Sequence, residues 1–301
     1  MSRGGAHAAL PYEGTAMPVR IITDSGSDYY TADHPQLTVL PLSIGFGDTM
    51  YQADVDLTRE RFYELLIEGD DFPTTGQVNP YAFSQAIEAA QAAGEDVVIV
   101  TLSGELSGTN ESALTAAAGA SDATKVLVVD SKSVTVGEHI LVERALQLVD
   151  EGVGAGDIAH ELEGLVDRIC LIGLLDTLEY LKRGGRLPAA AAAVGQLLSI
   201  KPVITVTDGE VQILGKARGS KNGRNLLNQA VEKGNGIDFS LPVQLGYSGL
   251  SDALLHKYIR DSRELWADYP GDELPVLQVG ATIGTHVGPG AVAVAFFRKA
   301  C

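Results

Sequence analysis

Four clusters of small hydroxyls and glycines stand at, or near, the ends of apolar runs in this 301-residue chain. They are Thr23-Asp24-Ser25-Gly26-Ser27, Pro73-Thr74-Thr75-Gly76-Gln77, Thr101-Leu102-Ser103-Gly104-Glu105-Leu106-Ser107-Gly108-Thr109 and Asp130-Ser131-Lys132-Ser133. In a parallel α/β sheet, ligands bind in the crevice beyond the carboxyl ends of the strands. Hydroxyls and helix N-terminal N–H groups gathered there hold an anion without a metal. The chemistry read from these residues is therefore capture of a small anionic group. Ser107 has a plainer alternative role as the N-cap of a following helix.

Three later motifs add cationic and imidazole groups. Gly184-Gly185-Arg186 follows a short helix with a pair able to adopt a left-handed turn, and Lys216-Ala217-Arg218-Gly219 presents a second arginine. Arginines beside glycines suit bidentate capture of carboxylate or phosphate, or else they are ordinary surface residues. Gly284-Thr285-His286-Val287-Gly288-Pro289-Gly290 carries one of six histidines in a loop where glycines allow close approach. A lone histidine of this kind also serves as a core residue. No Gly-x-Ser-x-Gly elbow, P-loop or His-Glu-x-x-His motif occurs, and neither Asp24 nor Asp130, which could orient neighbouring hydroxyls, has metal-ligand spacing. No catalytic set, metal site or cofactor is expected.

The elements that position these groups fall into two halves. Val19–Thr23, Val97–Leu102 and Val126–Asp130 are apolar runs of the kind found in strands buried on both faces, and a further run covers Thr38–Phe46. A helix is expected over Thr58–Glu68 with Thr58 as N-cap, and another opens at Asn79-Pro80 and stops at Gly94. This alternation predicts a parallel α/β domain over residues 18–160, after a flexible tail at 1–17. The second half, 161–301, contains a strand at Ile169–Leu174 and a capping box at Asp176–Glu179 opening a short helix. An Ala-rich helix follows at Pro188–Leu198, then a hairpin about Asp208-Gly209. Helices near 220–233 and 251–267 separate strands at 242–247, 275–280 and 290–297. That pattern predicts an α+β domain with a mixed or antiparallel sheet.

Composition narrows the partners. The chain is 45% hydrophobic and 20% charged, with a net charge of −17. Such acidity argues against nucleic acid or an anionic membrane surface as the partner. No run approaches the length of a membrane span, and two cysteines provide no disulfide framework, so a cytoplasmic protein is expected. Charge is reversed locally: eight basic residues from Lys182 to Arg224 face only Asp208 and Glu210. This stretch points to an anionic ligand or an acidic partner.

Taken in order, these blocks resemble the DegV family of fatty-acid-binding proteins from about residue 19 to 298. The matching pieces are Ile22-Thr23-Asp24-Ser25, Pro73 to Gln77, Leu106 to Thr109 and Val129-Asp130-Ser131. Leu175 to Arg186, Lys201-Pro202, Asp208-Gly209 and Gly284 to Gly290 complete the set. The resemblance implies a two-domain α/β protein enclosing one long-chain fatty acid. It places the carboxylate on the hydroxyls of Thr75 and Ser107, with Gly108 and Thr109 beside them, and the acyl chain in an apolar tunnel of the second domain. It also implies that a separate fatty acid kinase phosphorylates the presented carboxylate in some bacteria, with Arg186, Arg218 and His286 near the head group or facing that partner. Two positions depart from the family pattern: Gly76 and Gly104 stand where serine is common. A carrier without catalysis of its own is the expected function. The alternatives are a stand-alone hydrolase or phosphotransferase acting on a small anion, and a lipid-transport module without a kinase.

Overall fold

The computed structural model describes residues 17–187, 200–233 and 236–300. Residues 1–16 of the tail expected at 1–17, and the helix expected at Pro188–Leu198, lie outside them.

A four-stranded parallel sheet forms the first layer. Strands β1 (Val19–Asp24), β2 (Leu37–Leu40), β6 (Asp96–Thr101) and β7 (Val126–Asp130) lie in the order β2-β1-β6-β7. The runs of the central strands β1 and β6 are buried because helices cover both faces. Helices α2 (Pro80–Ala92) and α3 (Thr109–Ala118) pack together, and α5 (Ala155–Val166) packs on β6 and β7. Helix α2 starts as the sequence predicts: Asn79 accepts the Ala82 N–H at 2.9 Å and Pro80 occupies the first turn.

The run expected at Thr38–Phe46 divides. After β2, Pro41 cannot donate to a ladder, and β3 (Ser43–Phe46) leaves for a second, antiparallel sheet with β4 (Thr49–Gln52) and β5 (Thr74–Gly76). Helix α1 (Arg59–Glu68), capped by Thr58 Oγ1 on the Arg61 N–H, closes this small unit. Its Phe62, Tyr63 and Leu66 pack with Ile44 and Phe46. The three-stranded sheet matters because it delivers Thr75.

The second half builds a six-stranded mixed sheet in the order β10-β9-β8-β13-β11-β12. Its strands are β8 (Ile169–Leu174), β9 (Ile200–Thr207), β10 (Glu210–Arg218), β11 (Gln244–Tyr247), β12 (Val276–Gln278) and β13 (Val292–Phe297). Only the β11–β12 pair is parallel. Asp208 (φ 51°) and Gly209 (φ 82°) make the two-residue turn that the sequence predicts. One face of this sheet meets α7 (Gly219–Lys233) and α8 (Ala253–Asp261), with Ile172, Leu227, Val294 and Phe296 in the core between them. The expected 251–267 helix breaks at Ser262, whose Oγ donates to the Tyr258 carbonyl at 2.7 Å.

Helix α4 (Val136–Asp150) lies between the two sheets, and its residues from Val136 to Val142 are buried on every side, the polar Glu138 and His139 included. The short helices α6 (Glu179–Arg183) and α9 (Ala281–Val287) contact each other. The capping box expected at Asp176–Glu179 is not formed. Thr177 Oγ1 accepts the Glu179 N–H at 3.1 Å, while the Asp176 carboxylate is drawn to Lys201 Nζ by charge.

A hydroxyl-edged cavity between the sheets

A buried polar frame holds the loops at the carboxyl ends of β1 and β6. The Asp24 side chain accepts N–H bonds from Gly26 (2.8 Å) and Leu102 (2.9 Å), which fixes both loops relative to each other. Burial pushes the Asp24 carboxyl up to about 7, against those two hydrogen bonds. Asp28 accepts from Thr135 Oγ1 (2.5 Å) and the Gly280 N–H (2.8 Å), and burial raises it to about 6 against the nearby Arg59 charge. Arg59 in turn donates to Asp54 and to the carbonyls of Asp28 and Gln278. Ser103 Oγ donates to the Gly209 carbonyl at 2.8 Å, so the tip of the β9–β10 hairpin is docked on the loop after β6.

Between the sheets this frame leaves a cavity of about 390 Å³, inside the ~300–1,000 Å³ range of small-molecule sites. Most of its wall is apolar, including Leu102, Leu106, Leu175, Leu181 and Ile204. Thr75, Ser107, Arg186 and His286 form a polar group on its lining, apart from Thr135, Thr205 and Thr282, whose hydroxyls bond to protein groups.

At that group the hydrogen bonds form two short relays. Thr75 Oγ1 lies 2.9 Å from His286 Nε2. His286 Nδ1 is buried and has no hydrogen-bond partner among the described residues. A buried N–H without an acceptor is costly, so the ring proton is assigned to Nε2, where Thr75 accepts it. That leaves the Thr75 proton for a ligand. Burial, and secondarily the charge of Arg186, holds His286 down to about 4, so the ring is neutral. In the second relay, Thr109 Oγ1 accepts the Val78 N–H (3.3 Å) and lies 2.9 Å from Ser107 Oγ. Ser107 Oγ also accepts the Thr109 N–H at 3.3 Å. With Thr109 donating to Ser107, the Ser107 O–H can turn into the cavity. The first residues of α3 add the positive end of a helix dipole beside it.

The structure thus brings Thr75, Ser107, Gly108, Arg186 and His286 to one cavity, with Thr109 buried directly behind Ser107. Ser107 is not the N-cap of α3. That position belongs to Gly108, and Ser107 closes a local turn. Gly108 packs under the Gln77 amide, which donates to the Gly108 carbonyl and to Ser112 Oγ. Arg186 is tied down by its own bonds to the carbonyls of Leu106 (3.0 Å) and Gly184 (2.7 Å). Arg218 is elsewhere: it is exposed at the end of β10 and does not line the cavity. The basic stretch is also partly neutralised, since Arg183 pairs with Glu179, Lys201 with Asp176 and the buried Arg224 with Asp261.

Both departures from the family pattern have a local account. Ser43 Oγ fills the space that a side chain at Gly76 would take. A Cβ at Gly104 would stand 3.0 Å from Asp130 Oδ2, the carboxylate that receives the Gly104 N–H. Sequence reading did not find Gly173, Gly246, Thr135 and Val279, which also line the cavity. A glycine inside a predicted strand, Gly173, was the available signal.

A family model described as uncharacterised protein, DegV family, matches residues 18–299. The chain belongs to the DegV family. A DegV domain-containing protein of Caldanaerobacter subterraneus subsp. tengcongensis is 32% identical over 93% of this chain and 99% of its own. Among solved structures, a DegV family protein from Thermus thermophilus, described by its fatty acid binding, superposes with a TM-score of 0.81 at 30% identity, covering 94% of this chain and 100% of that one. A stearic acid-binding protein from Eubacterium ventriosum gives 0.80 at 25% identity, over 93% and 98%. DegV of Bacillus subtilis, described as a fatty acid binding protein, gives 0.77 at 27% identity, over 94% and 100%. The order of parallel N-terminal domain and mixed-sheet C-terminal domain is that of the family fold. Among the described residues no helix is long and apolar enough to cross a membrane, and no group of three or more His, Cys, Asp or Glu side chains could hold a metal ion.

Proposed function

We propose that this DegV family protein binds one long-chain fatty acid, with the carboxylate on the Thr75 and Ser107 hydroxyls and the tail in the apolar cavity. The observation that carries the reading is the cavity itself, mostly apolar and edged by the Thr75 and Ser107 hydroxyls, which can donate to a ligand when His286 and Thr109 donate to them. Fatty acid binding by the T. thermophilus, E. ventriosum and B. subtilis relatives supports it. Residues 18–160 supply the hydroxyls, and residues 161–301 supply His286 and most of the apolar wall.

The affinity comes from the tail. Each buried CH₂ contributes about 0.8 kcal/mol, or on the order of 12 kcal/mol gross for palmitate before association costs. The hydroxyls fix which way the molecule enters. The chain performs no chemistry of its own in this reading. His286 is the one imidazole beside a hydroxyl at the site, but its Nδ1 has no orienting carboxylate and burial makes it a weak base. The protein serves as a cytoplasmic carrier that presents the carboxylate to a separate fatty acid kinase. The exposed Lys182, Lys216, Arg218 and Lys221 form the acidic-partner side of that encounter.

Native mass spectrometry of gently purified protein tests the reading. A single added mass that extracts as a straight-chain fatty acid is expected. Protein that stays empty, and takes up no palmitate when offered it, refutes the carrier role.

A further inference from the structure

One cross-strand row of the mixed sheet has residue types that are unusual for a buried sheet face. Register sets Ile204 of β9 opposite Gly173 of β8, Gly173 opposite Ala293 of β13, Ala293 opposite Gly246 of β11, and Gly246 opposite Leu277 of β12. The row therefore reads Ile204, Gly173, Ala293, Gly246, Leu277. Branched side chains stand at both ends, and the three positions between them carry at most one side-chain carbon. Ile204, Gly173, Ala293 and Gly246 all line the cavity, so the row is its floor. Leu171 and Leu175, two residues either way along β8, share the face of Gly173 and also line the cavity. The floor is a trench across the strands, walled at β8 by these two leucines.

Neither glycine has a left-handed φ that would require it. Glycine inside a strand is otherwise unfavourable and marks a close approach. What approaches differs between the two. A Cβ at Gly246 would fall 2.8 Å from Val136 Cγ1 and 3.4 Å from Val279 Cγ2, so protein side chains close the trench there. A Cβ at Gly173 would meet Ile204 at 3.3 Å, with the next contacts at 3.8 and 3.9 Å. Above Gly173 the trench is open.

The group of Thr75, Ser107, Arg186 and His286 marks the opposite end. Leu106, Arg186 and Val211 border both the cavity and the neighbouring opening beside β10. The direction from head to tail is thus from the β10 edge, over Ile204, Gly173 and Ala293, to Gly246. Resting on the fatty-acid reading above, we propose that this row is the length gauge of the site. The acyl chain passes over Gly173, and its end stop is Val279, which lines the cavity, together with Val136, which packs over Gly246 without itself lining it. Neighbouring strands lie about 4.8 Å apart, so Gly173 stands about 10 Å before Gly246. A methylene chain built of ~1.5 Å bonds advances about 1.25 Å per carbon, so about eight carbons lie beyond Gly173.

Two variants act in opposite directions. Gly173→Val puts a branched side chain into the trench, and Val136→Ala moves the end stop back. Each delipidated protein is offered an equimolar series of straight-chain saturated acids from octanoate to stearate, and the retained acids are extracted and identified. Circular dichroism verifies the fold. Gly173→Val should retain acids shorter by about eight carbons and lose palmitate by ~100-fold or more. Val136→Ala should move the maximum about one or two carbons longer. If Gly173→Val fails to fold, Val136→Ala carries the test alone. A wild-type distribution in a folded variant overturns the gauge and leaves the fatty-acid reading standing. A wild-type protein that retains none of the series overturns both.

Discussion

Removing the Ser107 hydroxyl separates the head group from the tail. Ser107 Oγ is half-buried and 2.9 Å from Thr109 Oγ1, and with Thr109 as donor its own proton is available to the proposed carboxylate. A hydrogen bond to a charged group is worth about 1.5–3 kcal/mol net, which is roughly 10- to 150-fold in Kd at about 1.4 kcal/mol per tenfold. Set against the on the order of 12 kcal/mol gross from the palmitate tail, Ser107→Ala should weaken binding without abolishing it. Hexadecanol supplies the control, because it has the same tail and no carboxylate. Its affinity should change by no more than a few-fold in the variant. The lost Ser107–Thr109 bond costs about 1 kcal/mol of stability, a fall of a few degrees in Tm. Isothermal titration of delipidated wild type and variant with both ligands reads the difference. Equal losses for palmitate and hexadecanol, or no loss for palmitate, would show that Ser107 does not hold the carboxylate.

Three further outcomes follow from the same geometry. His286 should titrate near 4 in NMR spectra of the free protein, assigned by its loss in His286→Gln; a midpoint near 6.5 would contradict a buried, neutral ring. The raised Asp24 carboxyl favours the folded state fully below about 3.8, and that contribution is lost as pH rises through about 7. From pH 4 to 7, chemical denaturation should therefore show wild type losing on the order of 4 kcal/mol relative to Asp24→Asn, and parallel profiles would count against it. Gly209→Val forces a β-branched residue into φ 82° and drives its Cβ to 2.7 Å from Ser103 Oγ, undocking the hairpin from the loop after β6. Its Tm should fall by an amount equivalent to about 1–3 kcal/mol, and an unchanged melting curve would show that the docking contact is dispensable.

Legibility varied with the range of the physics involved. Strands β1 and β6 read directly from their apolar runs, because burial on both faces leaves no alternation to confuse, and β7 reads from a similar run although it lies at the sheet edge. Thr58, Asn79-Pro80 and Asp208-Gly209 were readable because caps and tight turns are decided within four residues. The small sheet of β3, β4 and β5 was not, since β5 is three residues long and joins β3 across α1. The capping box at Asp176 failed because a lysine 25 residues away takes its carboxylate. Arg218 looked equivalent to Arg186 by its flanking glycine. Only the course of β10 shows that it ends on the surface, away from the cavity.

The residue types alone decided what chemistry the strand ends offer: hydroxyls and glycines suited to holding a small anionic group. Those are properties of side chains and of short-range backbone preference, and they travel with the sequence. Tertiary structure decided which of the four clusters bring hydroxyls to the cavity. Ser25 is spent on Thr282 and the Leu42 N–H, and Ser131 on its own turn, while Thr75 and Ser107 reach the cavity. It also paired Thr75 with His286 across 211 residues and aligned Gly173, Ala293 and Gly246 into one trench. Strand register is a cooperative property of the whole sheet, and no local segment encodes it.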